Sequence, residues 1–279
     1  MPSFPNYRIL EKAYEGGFSV IYHAWDEEEG REVALKVLLP HWQDNREALQ
    51  DFIREGEILL SLDHPHIVKV FKLEKGPAII MEWVEGRNLK RLLLRKRDEL
   101  LHSFFPLVWK IAEALNYLHN RGIIHGDVKP ENILVGKKGE IKLIDFGLAR
   151  MKGRLLHPKK LRGTPVYLAP EVIASRRLTE KADVFSFGVI LYEILCGRLP
   201  YQAQDVPTLL RKGVDERVRP YPPSFLSPSI PQGLDNLVLK AIDKEPRNRP
   251  SMAEIMLDLA RIALGKISQR IEWGRSYEL

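Results

Sequence analysis

Between Thr179 and Cys196 the chain is apolar on nearly every side. A helix of that kind has no face to offer water, so it is stable only when surrounded by protein or lipid. Val189-Ile190-Leu191-Tyr192 is soon broken by Glu193, and no apolar run approaches the ~20 residues a membrane span needs. The stretch, closed by Gly197, therefore predicts a central buried helix, and enough chain must be present to wrap it. The 279 residues, 44% hydrophobic and 9% aromatic, meet that need. At roughly 100–200 residues per domain they suggest one large domain or two smaller ones. A disordered chain would be far poorer in apolar residues.

The other elements divide by periodicity. Tyr7 to Leu10, Val20 to Trp25 and Arg31 to Leu38 read as short strands, the latter two joined by the hairpin turn Asp26-Glu27-Glu28-Glu29-Gly30. Arg46 to Leu62 has helical spacing and stops at His64-Pro65, although Gly56 inside it costs about 1 kcal/mol relative to Ala. Apolar runs at Ile67 to Leu73 and Ala78 to Val84 follow. Ser103 to Asn120 is an amphipathic helix stopping near Gly122, and Ser251-Met252-Ala253-Glu254 is a capping box opening the last one. A small β-rich lobe followed by a larger helical lobe is the coarse picture, an α+β arrangement.

Compartment and partners are bounded by simpler counts. A single cysteine, Cys196, excludes an intramolecular disulfide framework and points to a reducing, cytoplasmic setting. Met1 to Tyr7 lack the basic start and apolar stretch of a signal peptide. The formal net charge of +6 admits nucleic acid, an anionic membrane face or a phosphorylated ligand.

Chemistry concentrates in two loops. His125-Gly126-Asp127-Val128-Lys129-Pro130-Glu131-Asn132 precedes the strand-like Ile133-Leu134-Val135, and Asp145-Phe146-Gly147 directly follows Ile141 to Ile144. Two carboxylates, an amide and a lysine on such loops suit phosphoryl transfer. Asp127 can accept a hydroxyl proton, Lys129 can neutralise charge on the moving group, and Asn132 and Asp145 offer hard oxygen ligands for Mg²⁺. Each alone is more often a structural loop residue. Upstream, Val33-Ala34-Leu35-Lys36 puts a lysine on an apolar strand. It is either an edge residue reaching solvent or a phosphate contact, with Glu55 its natural partner and Glu57 the competitor.

These motifs resemble those of eukaryotic-type Ser/Thr protein kinases along nearly the whole chain. Ala169-Pro170-Glu171, Asp183-Val-Phe-Ser-Phe-Gly188 and Arg249-Pro250 are similar to later motifs of that family, in the expected order. The resemblance implies a two-lobed α+β fold: an N-terminal lobe over 1–84, a small antiparallel sheet with one main helix, and a larger, mainly helical C-terminal lobe over 85–279, with the active site between them. It favours Glu55 over Glu57, because its spacing to His64-Pro65 fits the family better. It further implies that Lys36 binds the α/β-phosphates of ATP, that Asp127 is the base, and that Asn132 and Asp145 hold Mg²⁺, with Mn²⁺ as an alternative. Met81 would border the adenine, with Glu82, Trp83 and Val84 as the hinge. Ala13, Tyr14, Glu15, Gly16, Gly17, Phe18, Ser19, Ile21, Ala34, Glu55 and Leu134 would complete the nucleotide site. Glu171 and Arg249 would form a structural ion pair.

The chain departs from the family in two places. The phosphate-covering loop, Gly-x-Gly-x-x-Gly in the family, is here Tyr14-Glu15-Gly16-Gly17-Phe18-Ser19, with only the middle glycine in place. Tyr14 either caps the adenine side of the loop or weakens nucleotide binding, since a bulky residue is restricted at positive φ. Gly126 replaces the arginine that many members place before the catalytic aspartate, which makes this a variant lacking the usual partner for a phosphorylated activation segment (145–171). In agreement, Leu148 to Gly163 contains no Ser, Thr or Tyr. Thr164 and Lys129 favour Ser/Thr acceptors.

Two rivals stand beside this reading. His-Gly-Asp also occurs in small-molecule kinases of the aminoglycoside and choline type, which generally lack Lys129-Pro130-Glu131, Gly163-Thr164-Pro165 and Ala169-Pro170-Glu171. A pseudokinase scaffold would explain Tyr14 and Gly126 but has no need of the full base and metal set. Among other residues, His125 and Cys196 read as structural, Trp42 as a partner contact or a cover for the Glu55 helix, and the basic run Arg87, Lys90, Arg91, Arg95, Lys96, Arg97 as a solvated face or a docking patch. Residues 1–84 hold 9 Lys+Arg against 15 Asp+Glu, a balance of −6, whereas residues 85–279 hold 34 against 22, a balance of +12. The basic lobe suggests protein substrates that are acidic or already phosphorylated, although Glu131 pulls the other way. Nucleic acid is not expected.

Overall fold

A computed structural model describes residues 4–74, 77–151, 165–202, 205, 208, 211–212, 214–215 and 217–275, with side chains to residue 265. The chain divides into two compact units, residues 1–87 with 134–149, and residues 88–133 with 150–279.

The first unit is built on a five-stranded sheet of β1 (Tyr7–Glu15), β2 (Ser19–Asp26), β3 (Arg31–Leu38), β4 (Val70–Glu74) and β5 (Ala78–Glu82), in the order β1-β2-β3-β5-β4 with every pair antiparallel. Between β3 and β4 lie the short α1 (Pro40–Gln43) and α2 (Arg46–Leu60). Alternation along β3 sorts its side chains. Val33, Leu35 and Val37 enter a core with Val20, Ala24, Ala78 and Ile80, and the intervening residues, Lys36 among them, take the opposite face. The Asp26–Gly30 turn closes as the sequence predicts: the Asp26 carboxylate accepts from the Glu28 and Glu29 N–H groups, and Gly30 takes φ 63°. Gly56 acquires a reason. A Cβ there would stand 2.2 Å from Leu73 of β4, so only glycine lets α2 lie this close to the sheet. β8 (Ile133–Gly136) pairs with β6 (Gly86–Asn88) on one side and with β9 (Ile141–Leu143) on the other.

The second unit is mainly helical: α3 (Leu89–Arg95), α4 (Arg97–His102), α5 (Phe104–Asn120), α6 (Pro170–Ser175), α7 (Glu180–Cys196), α8 (Pro223–Leu226), α9 (Gln232–Ala241) and α10 (Met252–Arg275). A small ribbon joins β7 (Ile123–Ile124) to β10 (Arg150–Met151). The all-round apolar stretch is α7, buried from Ala182 to Leu195 and ended by Gly197 in the left-handed region. At Gly188 a Cβ would come within 2.7 Å of Ile242 and 2.8 Å of Ala241, so the glycine sets how closely the end of α9 approaches. Arg249, fully buried, donates to both Glu171 oxygens at 2.8 Å and to the carbonyls of Lys181 and Asp243. The expected capping box is present: Ser251 N donates to the Glu254 carboxylate and Glu254 N to the Ser251 hydroxyl. Among the described residues no helix is long and apolar enough to cross a membrane.

The basic run differs from a single solvated helix. Lys96 separates α3 from α4, and two of its six cations turn inward. Lys90 donates to Glu193 at 2.8 Å, beside the Tyr167 hydroxyl, and Arg97 donates to the Ile194 carbonyl at 2.9 Å. Both satisfy polar atoms of α7 that the apolar helix could not satisfy itself. Arg87, Arg91, Arg95 and Lys96 remain exposed.

Candidate active site

In the first unit the site is organised around Lys36. Its neighbours across the ladder are Ile21 on β2 and Ile79 on β5, which makes its strand central and excludes the edge-residue reading. The Lys36 ammonium donates to Glu55 Oε1 at 2.6 Å and to Asp145 Oδ1 at 3.1 Å. Glu55 is buried whereas Glu57 is exposed, so the partner is Glu55. Burial alone would lower the lysine pKa, but the charges of Asp145 and Glu55 more than offset it and hold the ammonium protonated. Burial pushes the Glu55 carboxyl up, and Lys36 together with the Phe146 N–H, 3.1 Å from Oε1, opposes that shift. The Phe146 ring is buried, fixing the loop on one side, and Asp145 sits at φ 63°, a left-handed conformation that Asp adopts more readily than most residues.

The nucleotide-loop residues lie on the β1–β2 hairpin. Pairing runs through Tyr14↔Ile21 to Glu15↔Val20, with a register shift at Ala13, and leaves Gly16, Gly17 and Phe18 as the turn. The concern that Tyr14 needs positive φ is removed, because the residue stays in the extended ladder. Its exposed ring lies beside Gly16, where a Cβ would come 3.3 Å from the ring. The Gly16 N–H donates to the Ser19 carbonyl at 2.9 Å. Trp42 makes a contact the sequence did not suggest: its indole N–H donates to the Gly17 carbonyl at 2.7 Å and its ring packs against Phe18 at 4.6 Å.

Ala34 and Met81 are buried and opposite each other on β3 and β5. In the hinge stretch the side chains point to protein partners. Glu82 pairs with Lys142 at 2.6 Å and accepts from the Lys69 N–H at 2.7 Å, while Trp83 stacks on His23 at 3.9 Å. Val84 and Leu134 are half-buried.

In the second unit the loop after β7 carries the other cluster. Asp127 Oδ2 accepts from the Lys129 ammonium at 2.6 Å and from Asn132 Nδ2 at 3.0 Å, and the same amide nitrogen donates to the Asp127 carbonyl at 2.9 Å. Donating through nitrogen leaves the Asn132 side-chain oxygen directed away from Asp127. A 3-10 turn over Pro130–Asn132 sets this spacing. His125, fully buried, accepts from the Asp127 N–H through Nδ1 at 3.2 Å, which bears out a structural role.

Sequence reasoning placed Asp183 in a motif but missed that it holds this loop. Asp183 of α7, 1% exposed, accepts the His125 N–H and the Gly126 N–H at 2.9 Å each and contacts His119 Nε2 at 2.9 Å. Its signal was available: an acid inside an otherwise apolar helix must have partners. Gly126 takes φ 76°, so any side chain there carries backbone strain. Cys196 is half-buried, and burial raises its thiol to about 11, which keeps it inert. The activation-segment residues 152–164, with Thr164, Lys159 and Lys160, lie outside the described residues.

A family model described as the protein kinase domain matches residues 7–258. The chain belongs to the protein kinase domain family. Among its relatives, the serine/threonine-protein kinase PrkC of Bacillus subtilis is 33% identical over 257 residues, covering 90% of this chain and 39% of that protein. The serine/threonine-protein kinase PknB of Mycobacterium leprae is 34% identical over 262 residues, covering 90% and 42%. The chain thus spans about two fifths of the length of the curated relatives it matches. Its five-stranded antiparallel sheet and helical second unit are the α+β kinase fold that the resemblance implied.

Proposed function

We propose that this chain is a Ser/Thr protein kinase that moves the γ-phosphate of ATP to hydroxyls of protein substrates. The observation that carries the reading is the Asp127 carboxylate, held at one oxygen by both Lys129 and Asn132. That arrangement aims a base while keeping a cation beside it. Asp127 accepts the hydroxyl proton, Lys129 offsets charge on the transferred group, and Lys36, kept protonated and oriented by Glu55, meets the α/β-phosphates. Ala34 and Met81 flank the adenine, and the hinge backbone of 82–84 pairs with it. The hinge side chains support this, since they are engaged elsewhere.

The donor set fits Mg²⁺. Among the described residues no group of three or more His, Cys, Asp or Glu gathers as a cage, and Mg²⁺ needs none, being held by one or two carboxylate or amide oxygens with water and substrate phosphates. Asn132 and Asp145 would supply those oxygens. The ion, or Mn²⁺ in its place, when bound neutralises negative charge on the phosphates.

Gly126 in place of arginine supports activity without a phosphorylated activation segment, because the residue before the base brings no guanidinium to receive a phosphate. The +12 balance of residues 85–279 supports acidic or phosphorylated substrates. The single cysteine supports a cytoplasmic setting. Transfer of radiolabelled phosphate from ATP with Mg²⁺ to a peptide array tests activity and preference together. Activity lost in Asp127→Ala and Asp145→Ala supports the kinase, and equal background in parent and variants sinks it. A strong preference for basic residues around the acceptor rejects the substrate class alone.

A further inference from the structure

The turn that covers the phosphates in the reading above is short of glycine and yet lies on the surface, so something must set its shape. The ladder ends at Glu15↔Val20, and beyond it the turn is closed by one bond of its own, Gly16 N–H to the Ser19 carbonyl. A Cβ on Gly17 would meet nothing within 4 Å, so packing does not hold this residue. Two donors from one neighbouring segment hold it instead. The Leu39 N–H binds the Phe18 carbonyl at 2.9 Å, and the Trp42 indole N–H binds the Gly17 carbonyl at 2.7 Å. Each fixes one peptide plane, since the peptide unit is rigid, and the Trp42–Phe18 ring contact at 4.6 Å secures the side chain between them.

Core packing does not explain the tryptophan. α1 has no buried residue, and Trp42 is only half-buried on it. What the ring contributes is a long, rigid arm with one donor at its end, reaching a carbonyl 25 positions earlier in the chain. We propose that Trp42 is a positioning residue for nucleotide binding, holding the Gly17 carbonyl so that the phosphate-covering loop is ordered before ATP arrives. The proposal rests on the kinase reading for the ligand, but not for the geometry. A loop ordered in advance loses less entropy on binding, and the gain appears in affinity. Trp42 touches no reacting atom, so the chemical step should not sense it.

Two variants separate the parts. Trp42→Phe keeps a ring against Phe18 and removes the donor, and Trp42→Ala removes both. The dissociation constant of a fluorescent ATP analogue, the KM for ATP, kcat and the melting midpoint are measured on each. Trp42→Phe should raise the dissociation constant and KM about three- to ten-fold, the range of one hydrogen bond, with kcat and the melting midpoint unchanged. Trp42→Ala should raise them further. Leu10→Ala, an exposed change on β1, should leave all four values alone. Unchanged nucleotide affinity in both tryptophan variants overturns the proposal, as does a loss of affinity that only follows a lowered melting midpoint. Because binding is read directly, a parent that binds nucleotide but transfers no phosphate rejects the kinase reading alone. A parent that binds no nucleotide rejects both.

Discussion

The loop that carries Asp127 and the loop at Gly16–Ser19 are both short and both rich in polar backbone, yet they are held in opposite ways. The first is fastened from beneath by Asp183, a buried carboxylate that takes two successive backbone N–H groups and contacts His119. The second is pinned at the surface by single bonds from Leu39 and Trp42. Hydrogen bonds to a buried ionised acceptor are worth about 1.5–3 kcal/mol, while an ordinary exposed one nets about 1. In the kinase reading proposed above, a base must keep its place to within tenths of an ångström, whereas a loop over a nucleotide must let it enter and leave. The molecule spends its buried charge on the loop that must not move.

That contrast can be broken at either end. The largest effect belongs to Asp127, the base of the proposed reaction: Asp127→Ala should lower transfer about 10²- to 10⁴-fold while the melting midpoint stays close to the parent's. Asp183→Ala should instead damage stability and activity together. It leaves one buried and one part-buried N–H donor unsatisfied, and a loss of roughly 3 kcal/mol in denaturant unfolding is expected. A variant as stable as the parent would show that the loop is held by something else. Gly126→Ala puts a side chain at φ 76° and should cost about 1–2 kcal/mol, read the same way. The smallest change lies on the other loop. Ser19→Gly, which restores a family glycine, should shift the KM for ATP less than about threefold and leave the melting midpoint unmoved. A larger shift in stability there would erase the distinction between the two loops.

Much of this was visible in the residues. The hairpin at Asp26–Gly30, the capping box at Ser251 and the buried α7 depend on neighbours within a few positions, and each formed where the sequence placed it, while α2 ends at Leu60, two residues before the expected Leu62. The kinase motifs named Lys36, Asp127, Asn132 and Asp145 through resemblance, which needs only order along the chain. What the sequence did not show were the partners of side chains that reach far along the chain. Trp42 finds Gly17, Lys90 finds Glu193 across 103 positions, and Asp183 finds His125 and Gly126 across 58 and 57. Tyr14, feared as a strained residue, rests in the ladder because β2 keeps its register that far.

The sequence by itself determined the class of fold, the order of its elements and the set of groups able to move a phosphate, since periodicity, turn chemistry and motif order are properties of the chain. Only the tertiary structure decided that Asp145 joins Glu55 on Lys36, which acid anchors the Asp127 loop, and that Gly126 takes φ 76°. Those choices depend on burial and on the direction of a hydrogen bond, and neither exists until distant segments have packed.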